Sequence, residues 1–570
     1  MLPELLAKHH GLPNVWGEGA IFASSGLDGA TSVASGFVAT YARNRYGLLF
    51  HTPQRRFLDV ELGVRGTPRI ATGDVLAVES QKGTLLMAYS AWHTLVGSAP
   101  AGMFLRLRFE DGPNAAWIES AWVTEGARNH DVLALVEAGG RFALSYGRSA
   151  DEAIKRAKAG LQCDPWGEAA RRLTIYQKVP AVKPVDRERL LKKCVSVIKV
   201  NALSAEGAIK GMWSTPDRVP HKDMWLWDSV FHSLAMNHLY PEVAWQFLKS
   251  VLETRNAEGM IPHQSGVSGK KSHITQPPIL AWGVWENYQF THDKSALQYA
   301  LPRLEAYLRW DLANRDRNGN GLLEWLIEGD VRCRSGESGL DNSPRFDRGL
   351  TMDAVDFSSW AAMDMQYMGR IAQELGDTAK AKEWLERSQA TSAKVHEYLW
   401  DARDGFYYDR ALDGEFSRIK AASGFMPLLL DDLPADHLGA LVKALQDPNQ
   451  FGTAFPVPSL AVCEPAWSTD MWRGPTWANL NYFIILGLLK HGRADLAGWL
   501  ADRTIHYVQK YYELYGVTFE FFDSKDQVPP PACDRKGLRR EPYDIRRKLD
   551  SIRDYHWTAA VTALLLLAER

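Results

Sequence analysis

The pattern of apolar and polar residues changes about one third of the way along the chain. Before that point, short apolar runs alternate with polar positions at a period of two, most clearly at residues 103–110. Gly139 and Gly140 separate two further apolar runs, which is the signal of a β-hairpin. The pattern predicts an antiparallel β-sandwich over residues 1–177, followed by a proline-containing linker at residues 178–186.

From residue 187 onward, apolar positions recur at a period of 3.6, which is the repeat of an amphipathic helix. One predicted helix places five apolar side chains on a single face: Trp360, Met363, Tyr367, Ile371 and Leu375. Roughly twelve such segments, many paired by short turns, predict an (α/α)6 toroid over residues 187–570, with six inner helices inside six outer ones. Their predicted starts lie near residues 186, 228, 241, 278, 294, 354, 378, 419, 434, 474, 493 and 555. An irregular α-helical solenoid is the alternative arrangement.

The composition is that of an ordinary globular protein, with 46% hydrophobic and 24% charged residues among 570. The 66 basic and 68 acidic side chains nearly balance, which argues against a nucleic acid as a partner. Tryptophan is abundant, with 21 copies, and the flat faces of indoles suit the C–H faces of sugars. No apolar run reaches the ~20 residues that a membrane span needs, so we expect no membrane partner.

The cysteines and the first residues bear on location. None of the five cysteines has the CxxC spacing of a zinc or redox site, and no basic region followed by an apolar one marks a secretory signal. We therefore expect reduced thiols and a cytoplasmic protein. The sequence does not indicate an oligomeric state.

The richest group of charged residues is a loop at residues 336–349, which holds Glu337, Asp341, Arg345 and Asp347 within eleven positions. Its proline and glycines prevent a regular helix, so the side chains can be aimed individually. A carboxylic acid that donates a proton near pH 7 needs a raised pKa, from burial or from a neighbouring carboxylate. This loop is a candidate for that role, and a solvated polar loop is the alternative.

A second candidate carboxylate is Glu520, which is flanked by Phe519, Phe521 and Phe522. An edge strand with Glu520 facing water is the alternative interpretation. Near the end of the chain, Trp557 begins a predicted buried helix, and a toroid would bring that helix start to the mouth of its cavity.

Two further loops combine aromatic and polar residues. The segment 221–232 contains Trp227 and Asp228, and Asp228 is alternatively the N-cap of the following helix. The other loop contains Trp472, Arg473 and Trp477, in which the guanidinium can hold vicinal hydroxyls or a carboxylate. The alternative for Arg473 is a structural pair with a buried carboxylate.

The sequence contains one weak metal signal. Asp316, Asn318 and Asn320 match the first half of an EF-hand loop, but the twelfth position is Ile327 and not glutamate. A plain turn is favoured, and a structural calcium site completed by distant ligands is the alternative. Since the remaining motifs indicate acid–base chemistry, we expect that no cofactor is required.

Four motifs together resemble glycoside hydrolase family 63, in the order that the family has them: WLWDSVFH, ESGLDNSPRFD, MWRGPTWANLNYFIILGL and a late WTAA. The resemblance covers roughly residues 187–570. That family includes processing α-glucosidases and the mannosylglycerate and glucosylglycerate hydrolases, and family 37 trehalases are related to it. The resemblance implies an (α/α)6 catalytic domain that hydrolyses an α-linked sugar with inversion.

Carried over residue by residue, the resemblance implies Asp341 as the general acid and Glu520 as the general base, with Glu513 as the rival for the base. It implies a small carbohydrate as the partner, with five side chains at substrate-pocket positions: Trp227, Asp228, Trp472, Arg473 and Trp477. We expect Glu337, Arg345 and Trp557 to bind the substrate as well. The chain departs from the family in one place, where 36 residues separate Glu520 from Trp557. We expect this inserted segment to reshape the rim of the pocket.

The expected activity is exo-acting hydrolysis of an α-glucoside, because glucosidases dominate the family. A mannosylglycerate or glucosylglycerate substrate is the alternative, and its carboxylate would need extra basic residues, for which the loop 264–273 is a candidate. Two other classes stay open: a toroidal sugar epimerase or uronate lyase, and a carbohydrate-binding protein without catalysis. Paired carboxylates argue against both classes.

Overall fold

The computed structural model describes residues 1–42, 46–127, 130–537 and 550–568. Helix α1 (Leu2–Lys8) precedes a region of antiparallel strands. These strands are β1 (Ile21–Phe22), β2 (Ala39–Tyr41), β3 (Leu48–Phe50), β4 (Arg56–Glu61), β5 (Gly66–Ala71), β6 (Val75–Ser80), β7 (Gly83–Ala91), β8 (Thr94–Ser98), β9 (Phe104–Phe109), β10 (Ala116–Ile118), β11 (Ala121–Glu125), β12 (Val132–Ala138) and β13 (Arg141–Gly147).

The strands form two sheets, one in the order β1-β2-β3-β4-β9 and the other in the order β10-β11-β12-β13-β8-β7-β6-β5. The sheets share a core, because the ring of Phe22 in β1 lies 5.4 Å from that of Tyr89 in β7. The predicted strand at residues 103–110 is β9. The predicted hairpin joins β12 to β13, and both of its glycines have the positive φ that tight hairpin turns need. The prediction of an antiparallel N-terminal region is confirmed.

Helices α2 (Ala150–Gly160) and α3 (Pro165–Arg172) follow the sheets. The helical region then consists of α4 (Val185–Val200), α5 (Leu226–Met236), α6 (Pro241–Leu252), α7 (Leu280–Thr291), α8 (Lys294–Arg315), α9 (Val355–Glu374), α10 (Thr378–Tyr398), a 3-10 helix (Ala422–Leu429), α11 (Ala435–Gln446), α12 (Ala478–Lys490), α13 (Ala494–Tyr515) and α14 (His556–Ala568). Pairs of two-residue strands link its loops: β14 (Ala202–Leu203) with β15 (Trp213–Ser214), β16 (Met224–Trp225) with β17 (Gln264–Ser265), β18 (Met352–Asp353) with β21 (Arg410–Ala411), and β19 (Trp400–Asp401) with β20 (Phe406–Tyr407).

Six elements of the helical region contact one another in a closed cycle. Helix α5 packs on α7, α7 on α9, α9 on the 3-10 helix, the 3-10 helix on α12, α12 on α14, and α14 again on α5. Aromatic side chains fill the space that these elements share, as where Phe483 of α12 lies 5.5 Å from Phe231 of α5 and 5.6 Å from Trp360 of α9. The loops that leave one end of these elements carry the candidate site. Among the helices of the described residues, none combines the length and the apolar character of a membrane span.

Candidate active site

A cavity of about 530 Å³ opens among the loops of the helical region. Seven of the side chains predicted to act on substrate line it: Trp227, Asp228, Asp341, Trp472, Trp477, Glu520 and Trp557. They come from five separate parts of the chain. The structure therefore brings together both candidate catalytic carboxylates and most of the predicted aromatic residues.

Asp341 reaches the cavity because the loop before it can approach an indole closely. Gly339 has φ +72, and a Cβ atom at this position would lie 2.5 Å from Cζ2 of Trp227. Asn342, which follows Asp341, accepts a hydrogen bond from the backbone N–H of Trp472 at 3.0 Å. These contacts fix the acidic loop between two of the tryptophan-containing segments.

Glu520 is almost fully buried, with 1% of its surface exposed. Phe519, Phe521 and Phe522 are buried as well, so the flanking aromatic residues pack the segment into the core. The backbone N–H of Glu520 donates to the carbonyl of Ile552 at 2.8 Å. The alternative of an edge strand with Glu520 facing water is therefore wrong.

Each candidate catalytic carboxylate contacts a basic side chain of the inserted segment. The Arg535 guanidinium donates from Nε and Nη2 to the two carboxylate oxygens of Glu520, at 3.0 and 3.1 Å. The Lys536 ammonium lies 2.6 Å from Oδ2 of Asp341. Burial raises the pKa of Asp341, but the nearby charges of Lys536, Arg535 and His263 outweigh it, and the net pKa is lowered. Residues 538–549 of the same segment lie outside the described residues.

Asp228 is the carboxyl group of the cavity with a raised pKa. It lies in the first turn of α5, whose N-cap is Trp225, so the N-cap interpretation of Asp228 is wrong. Burial raises its pKa well above the ordinary value, and the negative charge of Glu520 adds to this effect. Tyr555 donates a long hydrogen bond of 3.4 Å to Oδ1 of Asp228. Asp228 therefore keeps its proton to a higher pH than an ordinary aspartate does.

The aromatic residues form a wall of packed indoles. Trp472 stacks on Trp477 with ring centroids 3.5 Å apart and planes inclined by 5°. Trp557 lies edge-on to Trp477 at 5.5 Å and to Trp227 at 5.4 Å. Nε1 of Trp472 is buried and has no hydrogen-bond partner among the described residues. The wall thus lines the cavity with apolar indole atoms.

Glu337, Arg345 and Arg473 are not among the side chains that line the cavity, and substrate contact by these three residues stays a prediction. Arg315 donates to Glu337 at 2.9 and 2.7 Å, inside the protein. Arg345 is buried between Asp356 and Asp409. Arg473 donates to both oxygens of Asp347, at 2.8 and 2.7 Å. Each of these groups is already satisfied by an ion pair within the protein.

The weak metal signal at residues 316–321 corresponds to a turn. The side-chain oxygens of Asn318 and Asn320 accept backbone N–H groups two residues further on, at 3.0 and 2.8 Å. Their amide nitrogens donate to Asp353, and Asp316 accepts from the N–H of Gly321. In the part of the chain that the structure describes, no group of three or more His, Cys, Asp or Glu side chains is arranged to hold a metal.

Sequence reasoning missed Arg535 and Lys536, which lie between Glu520 and Trp557 in the inserted segment. It also missed His221, which lines the cavity together with His263. His263 is largely buried, and burial lowers its pKa to about 4 in spite of the opposing charge of Asp341. The signal in the sequence that could have indicated Arg535 and Lys536 was the basic run DRKGLRR, which lies in the inserted segment shortly after the candidate base.

Comparisons with known proteins show which class of protein this chain resembles. Residues 220–544 match the family model of the mannosylglycerate hydrolase MGH1-like glycoside hydrolase domain. The chain is 25% identical over 395 residues to a mannosylglycerate hydrolase of Thermus thermophilus, which covers 54% of this chain and 90% of that protein. It is 23% identical over 409 residues to a glucosylglycerate hydrolase of Mycolicibacterium hassiacum, which covers 53% and 88%. An uncharacterised protein of Borreliella burgdorferi is 30% identical over 233 residues, and the match spans 47% of that protein.

Two solved structures have a similar fold. The mannosylglycerate hydrolase of Thermus thermophilus in complex with glucose superposes with a TM-score of 0.54 at 24% identity, over 66% of this chain and all of that one. A bacterial glucoamylase in complex with acarbose superposes with a TM-score of 0.62 at 12% identity, over 98% of this chain and 94% of that one. The match to the family model places this chain in the class of glycoside hydrolases, and the fold is consistent with that class. The chain belongs to glycoside hydrolase family 63, with an MGH1-like domain at residues 220–544.

Proposed function

We propose that this protein is an exo-acting, inverting glycoside hydrolase that removes an α-linked sugar, with an α-glucoside as the first candidate. One observation carries the proposal: Asp341 and Glu520, 179 positions apart in the sequence, line the same cavity beside a wall of indoles. An acid and a base that share one cavity are what hydrolysis with inversion requires. A sugar epimerase or uronate lyase has no need of this pair.

The proposal includes an (α/α)6 toroid as the catalytic domain. The closed cycle of contacts through α5, α7, α9, the 3-10 helix, α12 and α14 supports an inner ring of six elements. The remaining helices of the region, α4, α6, α8, α10, α11 and α13, would form the outer ring. We place the sandwich domain at residues 1–177, the linker at 178–186 and the catalytic domain at 187–570.

The proposed reaction uses this chain's own carboxyl groups. Asp341 donates its proton to the glycosidic oxygen as the bond from that oxygen to the anomeric carbon breaks. A water molecule attacks the anomeric carbon from the opposite face, and Glu520 takes the proton that the water loses. The products are the free sugar with inverted anomeric configuration and the released alcohol. Proton exchange with solvent then restores both carboxyl groups, and the reaction requires no organic cofactor.

The cavity provides groups to hold the sugar. Trp472, Trp477 and Trp557 line the cavity, and indole rings suit the apolar C–H face of a pyranose. Asp228, with its raised pKa, can donate to or accept from a second hydroxyl. This combination supports one terminal sugar unit in the cavity.

A glycerate glycoside is the second candidate substrate, because three basic side chains line the cavity: Arg332, Arg535 and Lys536. Arg535 and Lys536 already pair with Glu520 and Asp341, so Arg332, which is 70% exposed, is the candidate for the carboxylate of the glycerate. The loop 264–273 does not supply these charges, since only Gln264 of that loop lines the cavity and Lys271 donates to the carbonyl of Thr254. The names of the relatives in Thermus thermophilus and Mycolicibacterium hassiacum support the same candidate.

The proposal is tested by hydrolysis of a panel of substrates: maltose, isomaltose, kojibiose, trehalose, mannosylglycerate and glucosylglycerate. We expect wild type to release sugar from at least one member, and Asp341→Asn and Glu520→Gln to lose at least about a hundredfold in kcat, the usual contribution of an acid or base. Asp347→Asn is the matched control, because Asp347 belongs to the same loop but is 45% exposed and pairs with Arg473. Near-normal turnover by Asp341→Asn, or an epimer or unsaturated sugar as product, would overturn the proposal.

A further inference from the structure

Arg535 and Lys536 are held in place through their backbone by the tryptophan-containing loop around Asp470. The N–H of Asp534 donates to the carbonyl of Thr469, and the N–H of Met471 donates to the carbonyl of Asp534, both at 3.2 Å. The carboxylate of Asp470 accepts the N–H groups of Lys536 and Gly537 at 2.7 and 2.8 Å. Four hydrogen bonds therefore fix the backbone from which the two basic side chains extend.

The contact between Lys536 and Asp341 is close and partly shielded from water. The ammonium lies 2.6 Å from the carboxylate, and the two side chains are 28% and 20% exposed. The thiol of Cys333 lies 3.2 Å from the same ammonium. A single oriented cation thus faces the group to which the proposed reaction assigns the proton.

We propose that Lys536 is a positioning residue, which orients Asp341 and controls whether that carboxyl group carries the proton it must donate. The inference rests on the proposed function, because it takes Asp341 as the general acid. It adds a role for the inserted segment that the family resemblance does not supply. Arg535 is its counterpart on Glu520, where the guanidinium holds both carboxylate oxygens.

The basic groups around Asp341 all change its pKa in the same direction. Lys536, Arg535 and His263 are the basic groups that lower its pKa. Asp341 in turn raises the pKa of Lys536 against the effect of burial. Glu328, Asp330, Arg332 and Cys333 are further titratable groups that line the cavity, as are Asp228, Glu520, His221 and Tyr555. In the free enzyme, Asp341 is therefore ionised near neutral pH, and the protonated form that can donate is in the minority.

Two substitutions separate charge from geometry. Lys536→Met removes the charge, whereas Lys536→Arg keeps it on a different head group. An opposite charge at this range lowers a carboxyl pKa by about 1–3 units, and each unit changes the protonated fraction tenfold at a pH well above the pKa. We expect the ratio of kcat/KM for Lys536→Met to that for Lys536→Arg to rise at least about tenfold from the acidic to the alkaline end of the pH profile.

The substrate for this profile is the panel member that wild type hydrolyses fastest. Lys382→Met is the matched control, because Lys382 in α10 is 76% exposed and lies 3.8 Å from Glu386. It should keep the wild-type profile. A ratio that stays constant with pH overturns the role of Lys536. The Asp341→Asn variant keeps the two failures apart: if it retains activity, the proposed function fails, whereas if it is inactive and the ratio is flat, only this inference fails.

A second measurement needs neither turnover nor substrate. Because the pKa of Asp341 is lowered in the folded protein, its pair with Lys536 stabilises the fold above the unfolded pKa of about 4, and the effect is lost as the pH falls through the folded pKa. We expect Lys536→Met to lower the thermal midpoint relative to wild type at pH 7, by an amount that shrinks below about pH 5. A difference in midpoint that is independent of pH contradicts the inference.

Discussion

Gly339 allows Asp341 and Trp227 to share one wall of the cavity. Its left-handed backbone, at φ +72, turns the acidic loop, and the missing side chain leaves room for the indole. An alanine at this position would be strained by the positive φ and would meet Cζ2 of Trp227 at 2.5 Å. The position of the proposed acid therefore depends on a residue that does no chemistry.

We predict that Gly339→Ala lowers both the thermal midpoint and kcat, because the loop must shift and carry Asp341 with it. A non-glycine residue held in such a conformation costs about 1–3 kcal/mol. Differential scanning calorimetry and steady-state kinetics measure the two effects. Gly329→Ala is the control, since its φ is ordinary and a Cβ atom there would have no described neighbour within 4 Å. Equal behaviour of the two variants would contradict this account of the loop.

At the same scale, sequence reasoning identified the candidate carboxylates but not all of their surroundings. Asp341 and Glu520 were recognised as candidates because the short segments around them are distinctive and because the family resemblance assigns them roles. Glu337 and Arg345 lie in the same motif, yet their partners Arg315 and Asp409 are 22 and 64 positions away. A local pattern does not show such distant pairing, and for the same reason the contacts of Arg535 and Lys536 were not foreseen.

Among the elements, the acidic loop is attached to α9 through Arg345. Its guanidinium donates to Asp356 in the first turn of α9 and to Asp409, which follows β20, and all three groups are buried. Arg473 makes a similar pair with Asp347, but there the carboxylate is 45% exposed. Both are ion pairs between an arginine and carboxylates, but only those of Arg345 are fully buried. Their contributions to the stability of the fold should therefore differ.

We expect Arg345→Met to destabilise the protein strongly, because it leaves two buried carboxylates without a positively charged partner, a change that typically costs about 3–5 kcal/mol. Arg473→Met should cost no more than about 1 kcal/mol, since exposed pairs contribute little. The midpoint of urea unfolding for the two variants compares these costs. A larger loss for Arg473→Met than for Arg345→Met would show that burial does not decide the contribution.

The helix order was predictable because apolar periodicity and turn residues mark it along the whole helical region. The predicted helices starting near residues 241, 294 and 378 begin at those residues in the structure. The segment predicted to start near residue 419 forms a 3-10 helix at Ala422–Leu429 instead of an α-helix. Its interior contains Gly424 and Pro427, and proline lacks the N–H that an α-helix interior needs. The apolar pattern therefore predicted the position of this element correctly but not its type of helix.

At the scale of the whole molecule, the N-terminal strands are joined to the part of the chain that carries the base. The carboxylate of Asp554 accepts the N–H of Ile21 at 2.9 Å and that of Thr518 at 3.2 Å, and it also pairs with Lys193. Among the described residues that line the cavity, none precedes His221. The strand region is therefore joined through Asp554 to the segment that carries Glu520.

Proton NMR of the first anomer released from an α-linked substrate tests the central claim most directly, because the outcome depends on both carboxyl groups and on the water between them. We predict that the β-anomer appears first and that the α-anomer follows only by mutarotation. Prompt release of the α-anomer would mean that one carboxylate attacks the sugar itself, and it would contradict a cavity in which Glu520 activates water opposite Asp341.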